Sequence, residues 1–383
     1  MMNFNVVTLG CKVNQYESQA MREDLIAHGY LPSDDREKAD ITIVNSCTVT
    51  AVSDAKNRKL INRLRRVNPD GIIILTGCMP QAYPEAAFDL PEVDIVLGNA
   101  ARRDLLPRLE EFFTHRQRIV DIPPHDTSYE PLSIDTFQGR TRAFIKIQDG
   151  CNRFCSYCII PYARGPVRSR CKKEVVDEIK NLADAGYREI VLTGIHVASY
   201  GKDLENTSLA ELLCEADKIE GIERIRLSSI EPMTLNSDFV DAIKGCKKLC
   251  PHFHISLQSG CDATLKRMNR HYTTAQFEEI VTGLRNAFDG CAITTDIMTG
   301  FAGETDEEFE QTLEFVNRIG FSEAHVFQYS QRRGTPAAKR PDQVSPEVKE
   351  ARSKIIIDAT ELSRNEFLKS HIGKTVEVLF ETE

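Results

Sequence analysis

The chain has 383 residues, 41% hydrophobic, with a net charge of −9 and a pI near 5.6. That length suggests two or three domains with buried cores, and the acidic balance excludes a protein that coats nucleic acid by bulk charge, though it allows a local basic groove. No apolar run reaches the roughly 18 residues of a membrane span, and the start MMNFNVVTLGCK has neither a basic n-region nor an apolar h-region, so a cytoplasmic protein without a disulfide framework is expected despite its 12 cysteines.

The first hundred residues alternate strand and helix patterns. Residues 5–9 (NVVTL), 40–44 (DITIV), 71–75 (GIIIL) and 94–97 (DIVL) read as strands, with helices over 15–28 and 53–67. The alternation predicts a doubly wound parallel sheet over residues 1–120. Cys11, Cys47 and Cys78 each follow a strand. Ligands of such sheets bind beyond the carboxyl ends of the strands, so the three thiols are expected to meet as a metal site. The competing reading is three small buried hydrophobes. Arg58, Lys59, Arg63, Arg65 and Arg66 make a basic helix next to that site. With Arg164, Arg168 and Arg170 they would form a basic mouth for a phosphate backbone, unless they are only a solvated face.

Residues 121–140, rich in Pro, Asp, Ser and Thr, read as a linker. Alternation resumes over 141–370. Strands are predicted at 143–148, 189–193, 224–228, 252–257, 292–298 and 323–329, with helices at 173–185, 274–287 and 306–319 among them. Six βα units are too few for a closed barrel of eight and predict a partial (βα)6 barrel, with its site at the strand C-termini. Cys151, Cys155 and Cys158 fall there, spaced Cys-x3-Cys-x2-Cys. Three close thiolates can hold an iron–sulfur cluster and leave one iron open for chemistry. Zinc is the alternative, although its sites close with a fourth ligand. Cys171, Cys214, Cys246, Cys250, Cys261 and Cys291 read as structural.

Further along, Ser228, Ser229 and Glu231 follow one strand, and Gly300, Gly303 and Glu304 follow another. Either group could meet a ligand or simply turn the chain. His252 and His254 share one face of a strand and read as core or supporting residues. A helix is predicted at 346–370, and residues 371–383, with KTVEVLFE, look like the start of a further β unit.

These residues resemble a known family. GCKVNQYES at 10–18, NSCTVT at 45–50, TGC at 76–78, GCNRFCSYCIIPYARG at 150–165, LTGIHVASYG at 192–201, SSIEP at 228–232, LQSG at 257–260 and GFAGET at 300–305 look like the radical S-adenosylmethionine (SAM) methylthiotransferases. The resemblance covers residues 5–369 and is closest to the tRNA branch acting on N6-threonylcarbamoyladenosine. It implies two 4Fe–4S clusters, held by Cys151, Cys155 and Cys158 and, as the auxiliary cluster, by Cys11, Cys47 and Cys78. It also implies SAM contacts from Gly194, Ser229, Glu231, Gly300, Gly303 and Glu304. The expected partners are the anticodon loop of tRNA and an electron donor such as a flavodoxin or ferredoxin, with the protein a monomer. The tail resembles the first strand of a β-rich TRAM domain. Other readings are methylthiolation of isopentenyladenosine tRNA or of a ribosomal-protein side chain, or a non-enzymatic iron–sulfur or zinc protein.

Overall fold

The computed structural model describes residues 1–35, 38–137 and 141–381. Residues 138–140 of the expected linker and 382–383 of the tail lie outside the described residues.

The first sheet contains β1 (Asn3–Thr8), β2 (Leu31–Pro32), β3 (Ile41–Ser46), β4 (Ile72–Gly77), β5 (Ile95–Leu97) and β6 (Ile119–Asp121). Its order is β2-β1-β3-β4-β5-β6 and every pair is parallel. Alternation on β3 and β4 sends side chains to two cores. Ile43 and Ile74 pack beneath Met21 and Leu25 of α1 (Lys12–Ala27), while Val44 and Leu75 meet Ile61 and Leu64 of α2 (Ala51–Val67). Both faces are covered, as a doubly wound sheet requires. The chain leaves β1 in one direction for β2 and in the other for β3. The crevice where ligands bind such sheets therefore opens between β1 and β3.

The second unit contains β7 (Arg142–Asp149), β8 (Arg168–Ser169), β9 (Glu189–Gly194), β10 (Arg224–Leu227), β11 (His252–Gln258), β12 (Ala292–Thr299) and β13 (Glu323–Gln328). β7, β9 and β10 pair in parallel, as do β11, β12 and β13. Parallel bridges Ile225↔Leu249 and Ile230↔Ile255 join the two sets. The six-stranded arc is the expected partial barrel, with β8 an antiparallel addition outside β7. Ile145, Leu192, Ile225, Ile255 and Ile293 face the outer helices and form one continuous core.

Three sequence expectations change. β6 continues the first sheet through Asp121, into the start of the segment read as linker. α1 and α2 begin earlier than expected; α2 starts at Ala51 because the Thr50 side chain accepts from the Ser53 amide. The strand expected from KTVEVLFE does not form, and residues 374–381 carry no regular structure. No neighbouring strand pairs with it, and Val376, Val378 and Phe380 are exposed.

α1 joins the two units. Tyr16 and Ala20 enter the barrel core. Glu17, fully buried, lies 2.7 Å from Arg102 Nη1, 2.7 Å from Lys146 Nζ on β7 and 2.5 Å from Arg164 Nη1. Lys146 also pairs with Asp149, and Arg102 with Glu130. Burial favours the neutral acid, but Arg102, Arg164 and Lys146 overcome it and hold the Glu17 carboxyl at about 2. Its stabilisation is thus present above the ordinary carboxyl range and is lost as pH falls toward 2. Glu17→Gln should cost about 3 to 5 kcal/mol at neutral pH, because it strands buried cations. In urea unfolding at stepped pH, the difference from wild type should shrink from about pH 4.5 downward; a difference constant down to pH 3 would contradict this account.

Candidate active site

The first thiol triad is built by topology. Cys11 caps α1 directly beyond β1, Cys47 follows β3, and Cys78 opens a short helix (Cys78–Ala82) beyond β4. Since β1, β3 and β4 are neighbours, all three lie at one sheet edge, beside the crevice. Gly10 must be glycine there. Its φ is +106°, and a Cβ on it would stand 2.7 Å from Cys47 Cβ and 3.0 Å from its Sγ. Asn14 Nδ2 donates to Leu9 O and Ser46 O, and Asn57 Nδ2 to Cys47 O, so the loops that carry the thiols are fixed by buried amides. Burial pushes the Cys78 thiol up to about 11, against the pull of the Arg164 guanidinium. Arg164 Nε lies 3.2 Å from Cys78 Sγ.

The second triad is built by a loop. Gly150 ends β7 with φ +75°, and a Cβ there would come within 1.7 Å of Pro166 O. The Cys151 amide donates to Gly165 O, and the Cys158 amide to Cys155 O. Ser156 is tied from both sides: its amide donates to Met268 O, its hydroxyl to Arg267 O. Tyr157 anchors the loop against the cluster of Met268, Met298, Phe301 and Tyr329. Arg270 Nη1 lies 3.5 Å from Cys155 Sγ. Each triad therefore has a guanidinium against one sulfur, which suits a group that carries net negative charge once its thiolates are bound. Among the described residues, no three His, Cys, Asp or Glu side chains converge as ligands of one ion. A cubane spreads its thiolates over separate irons and does not require that convergence.

The barrel mouth near Cys151 is polar. Glu231 is buried and pairs with Arg153 and, at 3.2 Å, with His196 Nε2. Burial opposes its ionisation, but His196, Arg153 and Arg270 hold its carboxyl at about 2. Ser228 Oγ is buried without a hydrogen-bond partner, an orphan that an amino or carboxylate group of a ligand would satisfy. Ser229 is exposed beside it. Gly194 gives room to Gln148, whose Oε1 accepts from the His196 amide at 2.7 Å. A cleft of about 210 Å³ runs from Tyr157 and Cys158 past Gln258, Met298 and Tyr329 to Val49 and Thr50, which follow Cys47. It thus joins one thiol of the second triad to the segment that follows Cys47 of the first. A larger groove of about 670 Å³ lies outside the barrel between helices Ser237–Ile243 and Thr274–Ala287, away from all six cysteines.

Other expected contacts have different partners. Glu304 is bound to Arg352 and the Gly300 amide. A Cβ on Gly303 would strike Asp342, and one on Gly300 would strike Lys349. These three residues dock the chain of 340–352. The expected basic mouth is corrected in part: Arg58, Lys59, Arg63 and Arg66 are exposed on α2, but the other four arginines are engaged. Arg164, Arg168 and Arg170 are buried and paired with Glu17, Asp149 and Glu178. Arg65 serves Asp94 and the carbonyls of Glu92, Pro69 and Gly71. Asn14, Glu17 and Arg153 lie inside the quoted motifs but were not singled out, and Arg270 lies outside every one of them.

Residues 145–316 match the Radical SAM superfamily, and residues 3–98 match "Uncharacterized protein family UPF0004". The threonylcarbamoyladenosine tRNA methylthiotransferase MtaB of Bacillus subtilis is 42% identical over 375 residues, 97% of this chain and 83% of the relative. The chain belongs to the radical SAM methylthiotransferase family. It is an enzyme, a transferase that uses a 4Fe–4S cluster and SAM. A tRNA-2-methylthio-N(6)-dimethylallyladenosine synthase from Clostridium botulinum is 38% identical over 386 residues, 99% of this chain and 86% of that one. In fold, the enzyme is similar to the radical SAM methyltransferase TsrM of Kitasatospora setae, with TM-score 0.63, 17% identity, and 88% and 75% of the two chains covered. Among the described residues, no helix is long and apolar enough to cross a membrane.

The Gly150 geometry makes a prediction. Gly150→Ala forces Pro166 away and displaces the loop that starts at Cys151. Iron bound after anaerobic reconstitution should fall, and SAM cleavage with it. Full iron loading of the variant would show that the loop tolerates the extra methyl.

Proposed function

We propose that the enzyme places a methylthio group on carbon 2 of N6-threonylcarbamoyladenosine at position 37 of tRNA, with two 4Fe–4S clusters and two SAM molecules. The observation that carries this reading is the cleft lined by Cys158 of one triad and by Val49 and Thr50, which follow Cys47 of the other. One triad would serve SAM cleavage and the other sulfur delivery. The relatives' names supply the substrate class. Presentation of an unstacked base is natural for an anticodon-loop nucleotide.

When bound, the clusters and SAM supply one-electron cleavage to a radical that takes hydrogen from an unactivated carbon, and the sulfur and methyl that replace it. The chain's own residues do the rest. Cys151, Cys155 and Cys158 hold one cluster, and Cys11, Cys47 and Cys78 the auxiliary one. Ser228, Ser229 and Glu231 orient the polar end of SAM at the mouth, beside the turn at Gly194. Arg153 and His196 keep Glu231 charged and in place. Tyr157, Met298 and Tyr329 wall the cleft and keep water from the reactive species. No residue is needed as a general base, because the hydrogen leaves as an atom. The reductant is a flavodoxin or ferredoxin, and the enzyme works as a cytoplasmic monomer.

Reconstituted protein should bind about eight irons per chain. Cys155→Ala should abolish SAM cleavage. Cys47→Ala should retain uncoupled cleavage but make no methylthio product. Nucleoside mass spectrometry of tRNA from cells without the protein should lack 2-methylthio-threonylcarbamoyladenosine. Unchanged levels, or product from the Cys47 variant, would overturn the proposal.

A further inference from the structure

The barrel interior holds an arrangement that the function above does not use. Paired residues of a parallel sheet point to the same face, so Arg142, Glu189 and Arg224 stand side by side on β7, β9 and β10. Arg226 follows two residues later on that face. It is opposite the face where Ile190, Ile225 and Leu227 meet the helices, so these charges line the lumen. Glu189 is buried and takes all three guanidinium groups: Arg224 Nε and Arg226 Nε at 2.7 Å each, Arg142 Nη1 at 3.5 Å. One carboxylate against three cations leaves a local excess of positive charge.

Within the barrel nearby groups do not cancel it; only Glu377 and Glu381 of the tail stand against it. Lys12, next to Cys11, lies close enough to Arg142 and Arg226 to add to the positive charge. Burial, then Arg226, lowers His252 to about 4, so it stays neutral at physiological pH. His254 Nε2 is 3.1 Å from Asp296. The arginine side chains keep 30%, 21% and 25% of their surface in solvent, so they are open to a ligand.

The chain itself shows which anion suits them. The irregular tail reaches this end of the barrel, and Glu381 Oε1 lies 2.8 Å from Arg142 Nε. Glu377 is close enough to Arg224 to favour its charged form. Both glutamates lie on exposed chain without regular structure, so an incoming carboxylate can displace them.

We propose that Arg142, Arg224 and Arg226, gathered on Glu189, receive the carboxylate of the substrate's threonyl group. This rests on the tRNA reading above. A threonylcarbamoyl adenine carries a carboxylate and a dimethylallyl adenine carries none, so the lumen cations discriminate between the two substrates of the family. The N6 substituent leaves the ring on the far side of N1 from carbon 2. A base whose carbon 2 faces the thiol triads therefore carries its threonyl group to one side of them.

The test uses the reconstituted full chain and synthetic anticodon stem-loop RNA bearing threonylcarbamoyladenosine, as the free acid or as its methyl ester. Methylthiolation and RNA binding by fluorescence anisotropy are both measured. Wild type should prefer the free acid by about 10- to 100-fold, mainly through KM, the scale of a charge-assisted contact. In Arg226→Gln and in Arg142→Gln the acid-to-ester ratio should collapse toward one, and Arg226→Lys should restore part of it. Equal use of acid and ester by wild type overturns the proposal. So does an equal loss on both RNAs in the variants, which marks a phosphate contact. If wild type modifies acid but the variants keep its preference, the carboxylate site fails and the tRNA reading stands. If wild type modifies neither RNA, the tRNA reading fails and the site falls with it.

Discussion

Arg164 is fully buried and divides its guanidinium between the two halves of the molecule. It reaches Cys78 and Asn14 in the first sheet's crevice and Glu17 on the helix that enters the barrel. Its own backbone belongs to the segment just after Cys158. A buried cation needs partners at fixed positions, and each of these partners lies next to a thiol or on the helix that one thiol caps. The relative placement of the two triads is therefore set by charge pairing, with shape complementarity of Tyr16 and Ala20 around it. Without such a tie, the two units would meet through a surface no more rigid than an ordinary domain contact.

The two triads use different means to the same end. One takes three adjacent strand ends and lets a parallel sheet bring distant cysteines together. The other takes a single loop and fastens it at Gly150, Ser156 and Tyr157. In both, glycine supplies close backbone approach and an arginine supplies positive charge against one sulfur. The cleft at Cys158 ends at Val49 and Thr50, so the chain after Cys47 forms one wall of the barrel's site.

Much of this was legible in the sequence because it depended on local period. The strands at 71–75 and 189–193 were readable as apolar runs, and Cys11, Cys47 and Cys78 as strand-end residues, since a parallel sheet fixes where strand ends go. Pairing across the two units was not legible. Arg164, Arg168 and Arg170 read as a basic face, and nothing local told that Glu17, Asp149 and Glu178 would neutralise them in the interior. Arg142, Arg224, Arg226 and Glu189 lie on three strands, and only register brings them together. At Glu304 the glycine-rich turn before a helix read as a ligand contact, and its packing against Arg352 and Lys349 of the final helix was not legible.

The contrast between the triads also governs how the gene can change length. Between Cys11 and Cys47, and between Cys47 and Cys78, the chain passes through helices and surface turns whose extension leaves the strand ends in register. Residues can be added there without moving a sulfur. Between Cys151 and Cys158 each residue has an assigned place, with Ser156 bound on both sides and Tyr157 packed inside. A single insertion there would rotate a thiol out of the site. The first triad can thus drift in spacing among descendants of one ancestor, while the second must be inherited as a fixed string.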